Sequence, residues 1–174
     1  VEENVDRAAP NGVGDAKTGG NYAAGMRATY AAREKGFSEV LFLDARTKRY
    51  IDESGSSNFF AITRDGTYVT PESPSILDSV TNQSLIEMAK DVGIKVERRP
   101  IEVKELPNFV EAGLIGTATI ISPVYAIQHG NKLIQYGSPN EVGPVSLKLR
   151  DALLALQTGE APDPHGWTHE IELD

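Results

Sequence analysis

The sequence predicts an α/β fold, a mixed parallel and antiparallel sheet with flanking helices. Segments that favour helix interleave with short runs rich in valine, isoleucine, threonine and aromatics. One pair of such runs is joined through Asp65-Gly66, a strong signal for an antiparallel hairpin. A chain of 174 residues with 40% hydrophobic and 24% charged residues is long enough to enclose a substantial core, so residues 1–174 are expected to form one domain.

Each element has a local reason. Residues 1–20 hold many glycines and little periodicity, so a strand or extended segment is expected to lead into a loop around Lys17. Alanines, Met26 and Tyr30 favour a helix from Asn21 to Lys35, and Gly36 stops it where a left-handed cap is usual. Val40-Leu41-Phe42-Leu43 is a short buried strand, Arg46 to Arg49 a turn, and Tyr50 to Glu53 a second extended run. Asn58 to Ile62 and Thr67 to Thr70 flank the Asp65-Gly66 turn. Thr81-Asn82-Gln83-Ser84 opens a helix with capping residues, and Gly93 ends it. An exposed-edge strand is expected over Ile94–Val103, a short helix over Lys104–Glu111 and one strand over Leu114–Tyr125. Ala126-Ile127-Gln128 and Lys132-Leu133-Ile134 bracket a turn at His129-Gly130-Asn131. Pro144 to Leu156 forms the last helix, with proline at its start where a missing donor costs nothing.

Composition excludes several function classes. The net charge of -8 argues against nucleic acid, because phosphate backbones need a basic face. No apolar run is long enough for a membrane span, and the acidic start Val1-Glu2-Glu3-Asn4 is unlike a signal peptide. The absence of cysteine excludes disulfides and thiolate metal sites, and suits a cytoplasmic location. His165 and His169 are four apart, but Pro162 and Pro164 disfavour a helix and no third ligand is evident, so no metal is expected.

The most informative residue is Lys17, within Gly12-Val13-Gly14-Asp15-Ala16-Lys17-Thr18-Gly19-Gly20-Asn21-Tyr22. Glycines on both sides let the backbone fold closely around the amine and approach a ligand. An amine taken out of water loses part of its preference for the charged form and becomes a nucleophile toward an aldehyde. Alone, such a loop is commonly a flexible connection with a solvated lysine. Three further segments change that reading: Tyr50-Ile51-Asp52-Glu53-Ser54-Gly55-Ser56-Ser57-Asn58, Ser79-Val80-Thr81-Asn82-Gln83-Ser84 and Gly116-Thr117-Ala118-Thr119.

With these four motifs in order, the chain resembles the branched-chain amino acid aminotransferases, class IV enzymes of fold type IV that use pyridoxal 5'-phosphate (PLP). The resemblance runs through to Leu156-Gln157-Thr158-Gly159 and Gly166-Trp167-Thr168. It implies the C-terminal large PLP-binding domain, with a pseudo-barrel sheet, and a smaller N-terminal domain that this chain lacks. It implies transfer of the amino group of leucine, isoleucine or valine to 2-oxoglutarate through a Schiff base between Lys17 and PLP, in a homodimer. Lys17 would then act as general base and acid. Glu53 would partner the cofactor's ring nitrogen, and Tyr22 its phenolic oxygen. Val80 and Thr81, at a helix start, would offer amides and a hydroxyl to the phosphate, with Thr117 as a second contact. Thr117 and Ala118 would receive the substrate carboxylate, and Ser56 would line the substrate side.

Two departures stand out. Where animal members carry a redox Cys-x-x-Cys, this chain has Thr119-Ile120-Ile121-Ser122, so it has no thiol switch. The arginine that clamps the phosphate in complete members has no counterpart, which suggests weak activity or none for this chain alone. The alternatives are a D-amino acid aminotransferase, a 4-amino-4-deoxychorismate lyase, or a non-catalytic module.

Overall fold

In a computed structural model, which describes residues 1–171, helices and strands interleave as expected. Helix α1 spans Gly19–Glu34, followed by strands β1 (Leu41–Leu43), β2 (Ile51–Ser54), β3 (Asn58–Thr63) and β4 (Tyr68–Pro71). Helix α2 spans Val80–Asp91, and β5 covers Val96–Arg99. A 3-10 helix over Val103–Asn108 leads into β6 (Phe109–Gly116) and β7 (Ile120–Val124). The hairpin β8 (Ala126–His129) and β9 (Lys132–Gln135) precedes α3 (Pro144–Gln157).

The main sheet runs in the order β5-β4-β3-β6-β7. Its β4–β5 pair is parallel, with α2 as the crossover, and the other neighbours are antiparallel, which makes the sheet mixed. The Asp65-Gly66 hairpin forms as expected, pairing Ala61 with Val69 and Ile62 with Tyr68. Central strand β3 is apolar on both faces because both are covered. Phe59 and Ala61 pack with Leu41, Ile101 and Leu106 on one face. Phe60 and Ile62 pack with Leu85, Leu149 and Leu153 of α2 and α3 on the other. The Phe60 ring lies over Gly113, its partner on β6, where a Cβ would come within 2.3 Å of the ring.

Several boundaries differ from expectation. Residues 1–18 form turns and bends with one parallel bridge, Glu2 to Phe42, rather than a strand, and α1 already begins at Gly19. The edge strand is shorter than Ile94–Val103, because the chain turns away after Arg99. The span Leu114–Tyr125 is two strands, β6 and β7, that reverse direction through Thr117-Ala118-Thr119. That turn contains none of the residues that usually announce one, and Ile120 closes it with φ of 59°. The helix expected over Lys104–Glu111 stops at Asn108, because Phe109 onward pairs with β3 instead.

That switch gives Glu111 a structural task. Gly143, the N-cap of α3, has no side chain to satisfy the first helical amides. The buried Glu111 carboxylate does so from β6, accepting from the Val145 amide at 3.0 Å, the Ser146 amide at 2.9 Å and the Ser146 hydroxyl at 2.6 Å. It also sits where an anion is favoured by the helix dipole. Glu111→Ala strands those donors and is expected to lower unfolding free energy by about 3 kcal/mol in a denaturant titration. A loss below about 0.5 kcal/mol would contradict this role.

Candidate active site

Lys17 lies in a loop clamped from two sides. From α1, the buried Asn21 side chain donates to the Val13 carbonyl at 2.7 Å and the Ala16 carbonyl at 2.9 Å. From the N-terminal segment, Arg7 donates to the Gly14 carbonyl at 2.9 Å. Gly14 packs on the loop before α2 so closely that a Cβ would come within 2.4 Å of the Ser75 carbonyl oxygen. The loop backbone is therefore fixed while the Lys17 side chain stays exposed. The desolvated amine expected from sequence is not achieved by the described residues, because none of them covers it. The Lys17 ammonium instead rests 5.8 Å from the centroid of the Tyr22 ring, within cation-π range.

Glu53 sits near the end of β2, where the chain doubles back at once. The Ser54 amide bonds the Ser57 carbonyl at 2.8 Å, and the Ser54 hydroxyl accepts from the Ser57 amide at 3.0 Å. This turn starts β3 at Asn58 and brings its side chain onto Glu53. Asn58 donates to Glu53 Oε2 at 2.8 Å and to the Leu77 carbonyl at 2.9 Å. Arg7 pairs with Glu53 Oε1 at 3.0 Å, with both side chains 7% exposed.

Burial pushes the Glu53 carboxyl up to about 7, against the downward pull of the Arg7 guanidinium, the Leu77 amide and Lys17, and with a further push from Asp52. Burial also raises Asp52. The consequence for stability has a definite sign. A carboxyl held above its unfolded value contributes stability fully below pH 4.5, and loses it as pH rises through about 7. Between pH 5 and 7 the Glu53 share of this loss is about 2 kcal/mol. Carboxyls such as Asp44 and Glu105, which are pulled below their usual range, act in the opposite sense only at lower pH. Thermal melts of cofactor-free protein should therefore fall from pH 5 to pH 7, and Glu53→Gln should flatten the trend. A wild-type melting temperature that rises across this window would contradict the assignment.

Arg7, Tyr22, Glu53, Ser56 and Asn58 line one cleft of about 20 Å³. A small-molecule site needs about 300 Å³ or more, so these residues form a floor rather than an enclosure. Larger cavities of about 340 and 840 Å³ lie elsewhere, the second beside Val80 between α2, β5 and α3.

The other expected residues approach from two directions. Pairing of Asn58 with Ile115 sets the Thr117-Ala118 turn beside the start of β3, where the Ser57 hydroxyl neighbours Gly116. Thr117 and Ala118 are exposed there. Holding the β-branched Ile120 in left-handed backbone costs on the order of 1–3 kcal/mol, so this turn is kept under strain by the strands it joins. At α2 the cap is Ser79, whose hydroxyl accepts from the Asn82 amide at 3.3 Å, and not Thr81. Val80 and Thr81 thus occupy the first two helical positions, whose amides have no intrahelical partner. They do not line the cleft, but Leu77 and Ser75, just upstream, contact Asn58 and Arg7.

Three residues were missed from sequence. Asn21 and Asn58 stand inside recognised motifs without an evident role. Arg7 stands outside every motif, in a segment with no periodicity. The tail histidines behave as surface residues: His165 bonds Asp91 at 2.7 Å and stacks on Trp167.

The donor set fits PLP. Glu53 offers a buried carboxylate for a ring nitrogen, Tyr22 a hydroxyl, Lys17 an amine, and Val80 with Thr81 free amides for a phosphate.

Comparison with known proteins identifies the family. The family described as amino-transferase class IV matches residues 2–127. The chain is 46% identical over 167 residues to a branched-chain-amino-acid aminotransferase of Helicobacter pylori, covering 95% of this chain and 48% of that protein. It is 42% identical over 178 residues to that of Haemophilus influenzae, covering 99% and 52%. It thus spans about half the length of the curated relatives it matches. Among solved structures, the branched-chain amino acid aminotransferase of Escherichia coli superposes with a TM-score of 0.81 at 35% identity, over 93% of this chain and 53% of that one. The T.th. enzyme complexed with N-(5'-phosphopyridoxyl)-L-glutamate gives 0.81 at 32%, over 95% and 54%. The fold-type IV architecture expected from the motifs is thus the one observed. With a family match over most of its length, the chain belongs to the class IV aminotransferases.

Proposed function

We propose that residues 1–174 form the large cofactor-binding domain of a PLP-dependent transaminase that moves the amino group of leucine, isoleucine or valine to 2-oxoglutarate. The observation that carries this reading is the buried Glu53 carboxylate beside the exposed amine of Lys17, held in one framework by Arg7. Branched-chain substrates are supported by the relatives' names. A homodimeric state and a cytoplasmic location belong to the same reading. No helix among the described residues is long and apolar enough to cross a membrane.

Bound PLP supplies an aldehyde for covalent attachment and a ring that accepts electron density from the substrate's alpha carbon. With the cofactor bound, Lys17 Nζ would be the amine that holds its aldehyde carbon and, when free, the base and acid that would take a proton from the substrate's alpha carbon and return it. Its exposure suits this second task, because the amine must swing between two positions. Glu53 holds a proton at the ring nitrogen, and Asn58 fixes the carboxylate so that it need not reorganise. Tyr22 donates its hydroxyl to the phenolic oxygen. The Val80 and Thr81 amides and the Thr81 hydroxyl bind phosphate, with Thr117 as a second contact. Thr117 and Ala118 receive the substrate carboxylate, and Ser56 borders its side chain.

The test is incubation with PLP, borohydride reduction and peptide mapping, followed by substrate profiling. A pyridoxyl adduct confined to Lys17, with amino transfer from L-leucine, L-isoleucine or L-valine to 2-oxoglutarate, is expected. Adducts scattered over surface lysines would overturn the assignment of Lys17. Preference for D-amino acids, or pyruvate release from aminodeoxychorismate without an acceptor, would replace the substrate.

A further inference from the structure

Among the described residues Arg7 is the one buried cation in the cleft, and its bonds reach three separate segments of the candidate site. Its Nη1 pairs with Glu53 Oε1 at 3.0 Å. Its Nη2 donates to the Gly14 carbonyl, three residues before Lys17, at 2.9 Å, and to the Ser75 carbonyl in the loop leading to α2. The amine-bearing loop, the carboxylate and the approach to the phosphate-facing helix thus share one planar group. Only a guanidinium spans three acceptors in fixed directions; a lysine ammonium is a point charge on a flexible stem.

Stability does not account for this arrangement. A buried ion pair roughly breaks even against an apolar replacement. Here the pairing is incomplete as well, since Arg7 Nε and Asp52 Oδ1 are buried without partners among the described residues. Glu53 is faced by Arg7 from the N-terminal segment, Lys17 from its loop, Asn58 from β3, the Leu77 amide and, on its own strand, Asp52. Arg7 exerts the strongest pull toward the ionised form, and burial opposes it. Without that charge the balance would shift further toward the protonated carboxyl, which donates toward a ring nitrogen instead of accepting from it.

We propose that Arg7 is a positioning residue, which holds the Glu53 carboxylate as a hydrogen-bond acceptor for a protonated cofactor ring and locks the Lys17 loop and the approach to α2 in register with it. This rests on the PLP reading above. Arg7 touches neither substrate nor cofactor in this account; it acts through Glu53, Gly14 and Ser75.

The experiment compares wild type, Arg7→Gln and Arg7→Lys in the complete protein, loaded with PLP isotopically labelled at the ring nitrogen. Cofactor affinity is read by spectral titration and ring protonation by the nitrogen resonance, with circular dichroism as the folding control. Arg7→Gln is expected to weaken PLP binding by about 10- to 100-fold and move the resonance toward the unprotonated position. Arg7→Lys is expected to return the resonance to the wild-type position while affinity stays reduced, because charge is restored without the fork. An unmoved resonance in folded Arg7→Gln overturns the proposal, as does an equal displacement in both variants, which marks a merely structural role. If Arg7→Gln does not fold, Arg7→Lys decides: a wild-type resonance with reduced affinity supports the proposal, and a displaced one overturns it. The PLP reading fails separately, if wild type takes no adduct at Lys17.

Discussion

Lys17→Ala is expected to abolish the borohydride-trapped adduct and to lower amino transfer by about 10⁴-fold or more, because one amine supplies both the covalent attachment and the proton transfer. Its expected effect on stability is small. Lys17 is exposed, and the loop around it is held by Asn21 and Arg7 through backbone carbonyls that the substitution leaves intact. The melting curve should match wild type to within about 0.5 kcal/mol. Single-turnover kinetics with a branched-chain substrate is the deciding measurement. Transfer within tenfold of wild type would remove Lys17 from the chemistry, and with it the transaminase reading of the loop.

Glu53→Gln should produce the second largest effect, a fall in kcat of about 10²- to 10³-fold with a smaller change in KM. Glutamine preserves the shape of the side chain but not the charge that keeps a ring nitrogen protonated. It also has one acceptor where the carboxylate has two. Arg7 and Asn58 each donate to one Glu53 oxygen, so one of them would face an amide NH₂ and lose its partner. The accompanying destabilisation is about 1–3 kcal/mol, which a melt would separate from the kinetic effect. Unchanged kcat in a folded Glu53→Gln protein would show that the carboxylate's place in the cleft is structural.

These expectations draw unequally on sequence and structure. Helices α1, α2 and α3 and the β3–β4 hairpin were legible because each has a local cause. Alanine-rich periodicity, a capping residue, proline at the first helical position and Asp-Gly at a tight turn all act within a few residues. The β6–β7 reversal was not legible, because the Thr117-Ala118-Thr119 turn has no glycine, proline or asparagine. Pairing of β7 back onto β6 imposes it and drives Ile120 into a backbone region that isoleucine avoids. The 3-10 segment ends early for the same reason, since β-sheet pairing at Phe109 outweighs local helix preference.

The candidate site divides along the same line. By itself the sequence determined the chemical inventory: a lysine among glycines, a glutamate before Ser-Gly-Ser-Ser-Asn, a tyrosine five residues past the lysine, and a polar helix start. Such identities follow from the motifs that carry the resemblance to the family. Only the tertiary structure decided that Glu53 is buried, that Arg7 and Asn58 hold its two oxygens, and that Asn21 pins the Lys17 loop. Arg7 could not be found from sequence, because its partners Glu53 and Ser75 are brought to it from separate strands and loops. Burial, and the pKa shift that follows from it, is a property of what packs around a residue, and that exists only once distant segments of the chain have met.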